Sequence, residues 1–316
     1  MEKDIDVIVV GELNVDLILN QIDSFPEMGK EKLAREMTLT LGSSSAIFAS
    51  NLRSLGAGVS FLGKIGEDIF GDLVIGSLQD KGVNTEYIIR STELKTGATI
   101  VLNFAEDRAM VTHAGAMESL TIEDISDVVL NKAKHLHFSS YFLQPGLKNN
   151  IVDLFKKSKA FGLTTSFDAQ WDPDEKWDLD LKSVLPYIDV FLPNEQEILH
   201  LTGKENLDDA VNAVIPYANL IVVKRGNKGS VVFSESLKRV KEAFLNRNVV
   251  DAIGAGDSFN AGFIYKFIQK CSLEQCQEFG NLAGAISTTA PGGTAAFIDY
   301  DTVINIGRDR FGYSGN

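Results

Sequence analysis

Short β-branched apolar runs alternate along this chain with stretches whose apolar residues recur at helical spacing. The runs at 5–10, 59–62, 163–167, 188–192 and 220–223 read as buried strands. Helical periodicity predicts helices over 45–55, 68–81, 149–159, 195–202, 208–217, 257–269 and 273–289. This alternation predicts an α/β fold, a mostly parallel sheet with helices on both faces. Such sheets bind ligands beyond the carboxyl ends of their strands, so the chemistry is expected along one edge. Two stretches break the rhythm. Residues 13–41 and 96–112 alternate apolar and polar side chains with few helix signals. They are expected to form a small β lid on a single domain spanning 1–316, with edge strands of the main sheet as the alternative. The final RDRFGYSGN reads as a loose polar tail.

Charge narrows the choice of partners. The chain has 30 Lys and Arg against 43 Asp and Glu in 316 residues, a formal net charge of −13. An acidic surface repels nucleic acid and anionic membrane, so neither is an expected partner. It also repels a nucleotide, so any nucleotide site must gather backbone amides, a metal ion and a few cations locally. Cys271 and Cys276 fit no zinc spacing and are too few for a disulfide framework. They read as thiols of a reducing compartment. The N-terminal segment lacks the apolar core of a signal peptide, and no apolar run approaches the ~20 residues that span a bilayer. The expected location is the cytoplasm.

The strongest chemical signal is Asp251-Ala252-Ile253-Gly254-Ala255-Gly256-Asp257-Ser258-Phe259, with a helix expected to start near Asp257. Small residues let backbone amides approach a ligand, and a helix N-terminus adds unpaired N–H groups and the positive end of a dipole. Gly254, Ala255 and Gly256 therefore suit an anion hole for a transferring phosphoryl group. A carboxylate at that spot is repelled by phosphate and is better suited to take a proton from an attacking hydroxyl. The plainer alternative is that Asp257 only caps the helix.

The pattern D-x-x-G-A-G-D-x-F, followed by Asn260-Ala261-Gly262-Phe263, resembles the signature of the ribokinase-like (PfkB) carbohydrate kinase family. The resemblance covers nearly the whole chain. Gly11-Glu12-Leu13-Asn14-Val15-Asp16 is similar to the family's opening strand and substrate loop, and 42–56 to its glycine-rich first signature. The block from Gly63 to Gly71, the Asn194-x-x-Glu197 motif and Val222 to Gly229 follow in family order. The resemblance implies an ATP-dependent phosphotransferase with Mg²⁺, acting on a sugar or sugar-like small molecule. It implies that Asp257 is the base and that Asn14, Asp16, Gly42, Ser43 and Asp168 contact the substrate. Asn194 and Glu197 would organise Mg²⁺ through water, and Gly226, Gly229 and Asn281 would line the nucleotide. Asp251 and the turn at 290–294 would flank a monovalent cation, potassium, and a homodimer through the lid is left open. Lys224 stands where the family usually has a small polar residue. It reads equally as a partner for ATP phosphates or as a solvated strand-end charge. Gln144, near the end of another strand, is a candidate hydroxyl ligand. Tyr141 or Phe142 beside it could stack on a ring, and Arg108 in the second lid stretch could reach the substrate.

This sequence also departs from the family pattern. Ser43 replaces a glycine and Ile47 an asparagine in the first signature. Gln170 and Asp172 stand for the Asn and Arg of a D-P-N-x-R segment. An Asp cannot pair with a substrate carboxylate, so a neutral polyol, sugar or nucleoside is favoured over a sugar acid. A nucleoside kinase of the same fold and a non-catalytic sugar-binding regulator are the competing readings. The second is disfavoured because binding alone needs no base. A dinucleotide-binding dehydrogenase is disfavoured because no G-x-G-x-x-G follows the first strand.

Overall fold

The computed structural model describes residues 3–104 and 107–315, and the side chains of Asp107 and Arg108 lie outside the described residues. The described residues form thirteen strands: β1 (Ile5–Val10), β2 (Asn14–Ile22), β3 (Ala34–Leu41), β4 (Val59–Gly66), β5 (Asn84–Ser91), β6 (Gly97–Phe104), β7 (Asp107–His113), β8 (Ala133–Ser139), β9 (Thr164–Asp168), β10 (Val190–Phe191), β11 (Ile221–Lys224), β12 (Ser230–Ser234) and β13 (Leu237–Lys241). Nine of them make one sheet in the order β13-β12-β11-β10-β9-β8-β1-β4-β5. From β11 to β5 every neighbour is parallel, and β12 and β13 close one edge as an antiparallel hairpin.

The continuous apolar character of the strands follows from burial on both faces. In β1, Ile8 and Val10 enter a core with Leu136, Phe138, Phe167 and Phe191, while Val7 and Val9 enter a second core with Phe48, Leu52 and Phe263. Helix Ile151–Ala160 packs on the first face. Helices Ser44–Ser54 and Ala255–Ile268 lie side by side on the second. β1 is flanked by β4 on one side and β8 on the other, so the chain winds away from it in both directions. The carboxyl ends of β1, β8, β9, β10 and β11 all open on one edge.

The two stretches that broke the rhythm pair with one another. They form a separate four-stranded sheet of order β3-β2-β6-β7, not edge strands of the large one. Its register sorts side chains by face. Thr40, Asp16, Thr99 and Thr112 form one cross-strand row, and Leu39, Leu17, Ile100 and Val111 form the next. Successive residues point to opposite faces, so one face is polar at its inner end and the other is apolar. Positions 105 and 106, within the second expected stretch, lie outside the described residues.

Several elements differ from the sequence reading, β5 and helix Asp127–Lys132 among those it did not predict. The β12–β13 hairpin was not foreseen. The helix expected from Asp257 begins at Ala255, which puts Asp257 inside the first turn. The C-terminal residues are not a loose tail. Helix Tyr300–Phe311 is capped by Gly312, and Tyr313 is buried against Phe244 and Phe279 at ring distances of 6.3 and 6.1 Å. The polar appearance of 308–310 comes from the exposed face of the last helical turn. Among the described residues no helix is long and apolar enough to cross a membrane.

Phe167 sits at the centre of the first core, with Phe191, Phe155 and Phe138 at ring distances of 5.6, 5.7 and 5.9 Å. It immediately precedes Asp168 and so fixes the carboxyl end of β9. Phe167→Ala is expected to cost about 3–5 kcal/mol of stability, measured as a lowered urea midpoint with little change in slope.

Candidate active site

A cavity of about 540 Å³ opens at the carboxyl edge of the large sheet, roofed by the polar face of the small one. The large sheet contributes Glu12 after β1, Ser140 after β8, Gln170 after β9, Asn194 after β10 and Lys224 at the end of β11. The small sheet contributes Asn14, Asp16, Thr99 and Thr112, and the loop 252–257 closes the floor. A second cavity of about 160 Å³, lined by Gly226, Gly229, Phe244 and Asn281, adjoins the first. Lys224, Gly226, Ala255 and Gly256 border both.

The floor loop is shaped by Gly254. It takes φ 71° at the N-cap of helix Ala255–Ile268, and a Cβ there would stand 3.0 Å from both Gly293 Cα and Ile47 Cγ2. Ala255 N–H turns back to Ala252 O at 3.3 Å, and Ser258 N–H closes on Gly254 O at 2.8 Å. The amides of Gly256 and Asp257 lie between, on a helix end with no side-chain cap. Asp251 braces this loop, accepting from Ile253 N at 2.9 Å and from Gly292 N at 2.9 Å. The 251 loop and the 290–294 turn are thus adjacent.

Asp257 is the third residue of the helix, so it is not the N-cap. Its Oδ1 accepts from Gln170 Nε2 at 2.8 Å. The same amide nitrogen donates to Asp168 Oδ2 at 3.0 Å, and that oxygen also accepts from Lys224 Nζ at 2.5 Å and Asn260 Nδ2 at 2.6 Å. Gln170 holds this bridge with a left-handed φ of 61°, a conformation that costs a non-glycine residue roughly 1–3 kcal/mol. Burial pushes the Asp257 carboxyl up to about 7; Lys224 opposes the shift, Asp168 and Glu12 add to it, and Gln170 opposes it. Burial likewise raises Glu197 to about 7, with Asp168 adding and Lys224 opposing. Burial works against the Lys224 ammonium, but Asp168, Glu197 and Asp257 outweigh it and its pKa is raised.

The opposite wall is built around Asn14, whose Nδ2 donates to Asp16 Oδ1 and Thr99 Oγ1, each at 3.0 Å. Gly42 makes room for this pair, since a Cβ there would lie 2.7 Å from Asn14 Nδ2. Burial raises Asp16 to about 6 against the hydrogen bond from Asn14. Glu12 is buried beneath them, raised by burial and countered by the Ser45 hydroxyl and amide. A polar cavity with one ammonium, several carboxylates and a helix N-terminus can hold hydroxyls, neutralise an anion at one end and accept a proton beside it.

The family model for pfkB family carbohydrate kinases matches residues 4–299. The chain belongs to this family. It is therefore a carbohydrate kinase, phosphorylating a sugar or nucleoside at the expense of ATP. Among its relatives, the 5-dehydro-2-deoxygluconokinase of Geobacillus kaustophilus is 26% identical over 90% of this chain and 88% of its own. The solved Arabidopsis thaliana ribokinase complexed with ribose and ATP superposes with TM-score 0.82 and 24% identity, covering 97% of this chain and 99% of its own. A putative ribokinase II from E. coli in complex with ATP and Mg²⁺ gives TM-score 0.82 and 23% identity, over 95% of this chain and 99% of its own. The two structures share the ribokinase-like fold.

Within this pfkB kinase, most of the residues singled out in the sequence converge. Asn14, Asp16, Ser43, Asn194, Glu197, Lys224 and 254–257 line the larger cavity. Asn281 lines the smaller one while donating to Glu242 O at 3.1 Å. Asn194 and Glu197 form a capping box, with Glu197 N donating to Asn194 Oδ1 at 2.8 Å and Asn194 N to Glu197 Oε2 at 2.7 Å. Asp168 lies beneath the cavity, where it anchors Lys224. Gln144 is not brought to the site; it is fully buried, and its Nε2 is spent on Ser139 O at 2.7 Å and Ser140 O at 3.2 Å. Tyr141 and Phe142 are both core residues, packed on Phe167 and Trp177. Asp172 accepts from Asp174 N at 3.0 Å and Trp177 N at 2.6 Å and borders neither cavity. It therefore says nothing direct about substrate charge. Arg108 was a further candidate, and its side chain lies outside the described residues.

Glu12, Gln170, Asn260 and the threonine pair Thr99 and Thr112 were not singled out as site residues. The signal was present for Glu12, a carboxylate directly after a buried strand, and for the threonines, which alternate with apolar residues in their strands.

A carboxyl held near 7 in the folded protein, against an ordinary value of 3.8, opposes folding. Stability is lost as pH rises from about 4 to about 7 and levels off above. Asp257→Asn removes that burden. The unliganded variant is expected to gain more melting temperature over the parent at pH 8 than at pH 5, measured by differential scanning fluorimetry.

Proposed function

We propose that this kinase transfers the γ-phosphoryl group of ATP to a hydroxyl of a neutral sugar or sugar-like substrate, with Asp257 as general base and the Gly254-Ala255-Gly256 loop as the anion hole. The observation that carries this reading is the position of Asp257, a buried carboxylate in the first turn of a helix whose leading residues line the same cavity. A carboxylate there is suited to accept the proton of the attacking hydroxyl, while the helix amides and Lys224 balance the charge of the phosphoryl group. With a pKa raised to about 7 by burial, Asp257 is about half ionised at neutral pH, ionised above it, and basic enough to take a proton.

The acceptor would lie between Asn14, Asp16, Thr99 and Ser43, where donors and acceptors alternate. Among the described residues lining the cavity no arginine occurs, and the one lysine, Lys224, lies at the phosphoryl end beside Gly256, paired with Asp168, and not among Asn14, Asp16 and Thr99. That favours an uncharged polyol over a sugar acid, now on the lining residues and not on Asp172. The nucleoside part of ATP would occupy the smaller cavity with Gly226, Gly229 and Asn281. Magnesium requires few carboxylates because it keeps waters and phosphate oxygens, so Glu197, acting through water with Asn194 beside it, fits that role. When bound, the ion neutralises the phosphates. Potassium would be held by backbone carbonyls of the 251 loop and the 290–294 turn. Both Asp251 oxygens are engaged by amides, so Asp251 acts there as a brace.

The small sheet is read as a lid whose polar face covers the substrate and excludes water. Its outer face carries Met37, Leu39, Ile100 and Val111, exposed by 68, 38, 42 and 67%. A second copy of the chain is the partner that an apolar sheet face of this kind favours.

Two measurements test this reading. Asp257→Asn should lower kcat at least about a hundredfold with KM for ATP nearly unchanged; a folded variant with near-normal kcat would overturn the assignment. A panel of acceptors scored by ADP release should give a neutral polyol or sugar as the best substrate, and a sugar acid as best substrate would contradict the reading.

A further inference from the structure

Gln170 is a neutral side chain that joins two carboxylates at this site. Its Nε2 stands 2.8 Å from Asp257 Oδ1 and 3.0 Å from Asp168 Oδ2, so both amide hydrogens are directed at carboxylate oxygens. Asp168 is itself held on several sides. It is fully buried, and its Oδ2 receives Lys224 and Asn260 as well. The backbone of Gln170 is also fixed, since its N–H reaches Asp168 Oδ1 at 3.3 Å and its φ of 61° is one that glutamine seldom adopts. A strained residue retained beside a reacting group is a candidate for a functional role.

We propose that Gln170 is the positioning residue for Asp257, tethering the base to the fixed Asp168–Lys224 pair so that its carboxylate is aimed into the cavity. This rests on the reading of Asp257 as the base. Without the tether the carboxylate would face Glu12 after β1 and Asp168 on β9 with only the Lys224 ammonium to hold it. Like charge from both favours turning away from the acceptor or taking up a proton. The amide donates to both carboxylates at once, which a hydroxyl or an aliphatic group in its place could not do. The bridge also gives Lys224, at the junction of the two cavities, a route to the base through Asp168.

The test compares Gln170→Ala and Gln170→Gly with the parent and with Asp257→Asn. Glycine relieves the left-handed strain, so a loss common to both variants belongs to the missing amide and not to backbone conformation. Each is expected to lower kcat by about ten- to a hundredfold, to leave KM for ATP within about twofold, and to move the midpoint of the kcat/KM profile to higher pH. Added to Asp257→Asn, Gln170→Gly should lower kcat by less than about threefold further, because the tether has nothing left to position. A Gln170→Gly enzyme with parental kcat and parental pH midpoint would overturn the proposal. So would a full additional loss in the Asp257→Asn background. A near-normal Asp257→Asn enzyme would instead remove the base on which the proposal stands, so the two failures are distinguishable.

Discussion

At the carboxyl edge of the large sheet one ammonium group, that of Lys224, answers for a cluster of buried carboxylates. Its Nζ is paired with Asp168 at 2.5 Å, and it is the charge that opposes the upward shifts of Asp257 and Glu197. Burying several carboxylates with one counter-ion is costly, and the structure bears that cost through the hydrogen bonds of Gln170, Asn260 and Asn194. The arrangement has a chemical consequence. Burial raises Asp257 and Glu197 to about 7, near neutrality, where a base is most useful. Lys224 reads as an exposed strand-end charge only while its partners are unknown; Asp168, on the second strand over in the sheet, gives it its meaning.

The fold was legible because its physical causes are local. Strands buried on both faces must be apolar at consecutive positions, as in 5–10, and the alternation with helical periods then leaves few architectures. The small sheet was legible as a change of rhythm, since one face is solvated or lines a cavity and the other is apolar. What escaped were elements whose identity depends on partners distant in sequence. The β12–β13 hairpin is marginal alone and is fixed by β11, and Tyr313 reads as polar until Phe244 and Phe279 bury it.

The site was legible to a lesser degree, for the same reason. Gly254, Gly256 and Asp257 announce themselves because a helix start, small residues and an acid lie together in sequence. The pairing of Asp168 with Lys224 was not legible because the two are 56 residues apart, and the burial of Gln144 was not, because a glutamine at a strand end can as easily turn back onto its own backbone. Gln170 was noted only as a replacement for an asparagine. Its bridging of two carboxylates depends on a left-handed backbone angle that no composition or period reveals.

The chemistry of the site depends on Asp257 being a carboxylate whose affinity for protons is set by burial and by its tether. The most direct measurement is a ¹³C-carboxyl NMR titration of the unliganded protein, with the Asp257 resonance assigned by its disappearance in Asp257→Asn. A midpoint near 7 is expected. A midpoint near 4, that of an ordinary solvated aspartate, would contradict it.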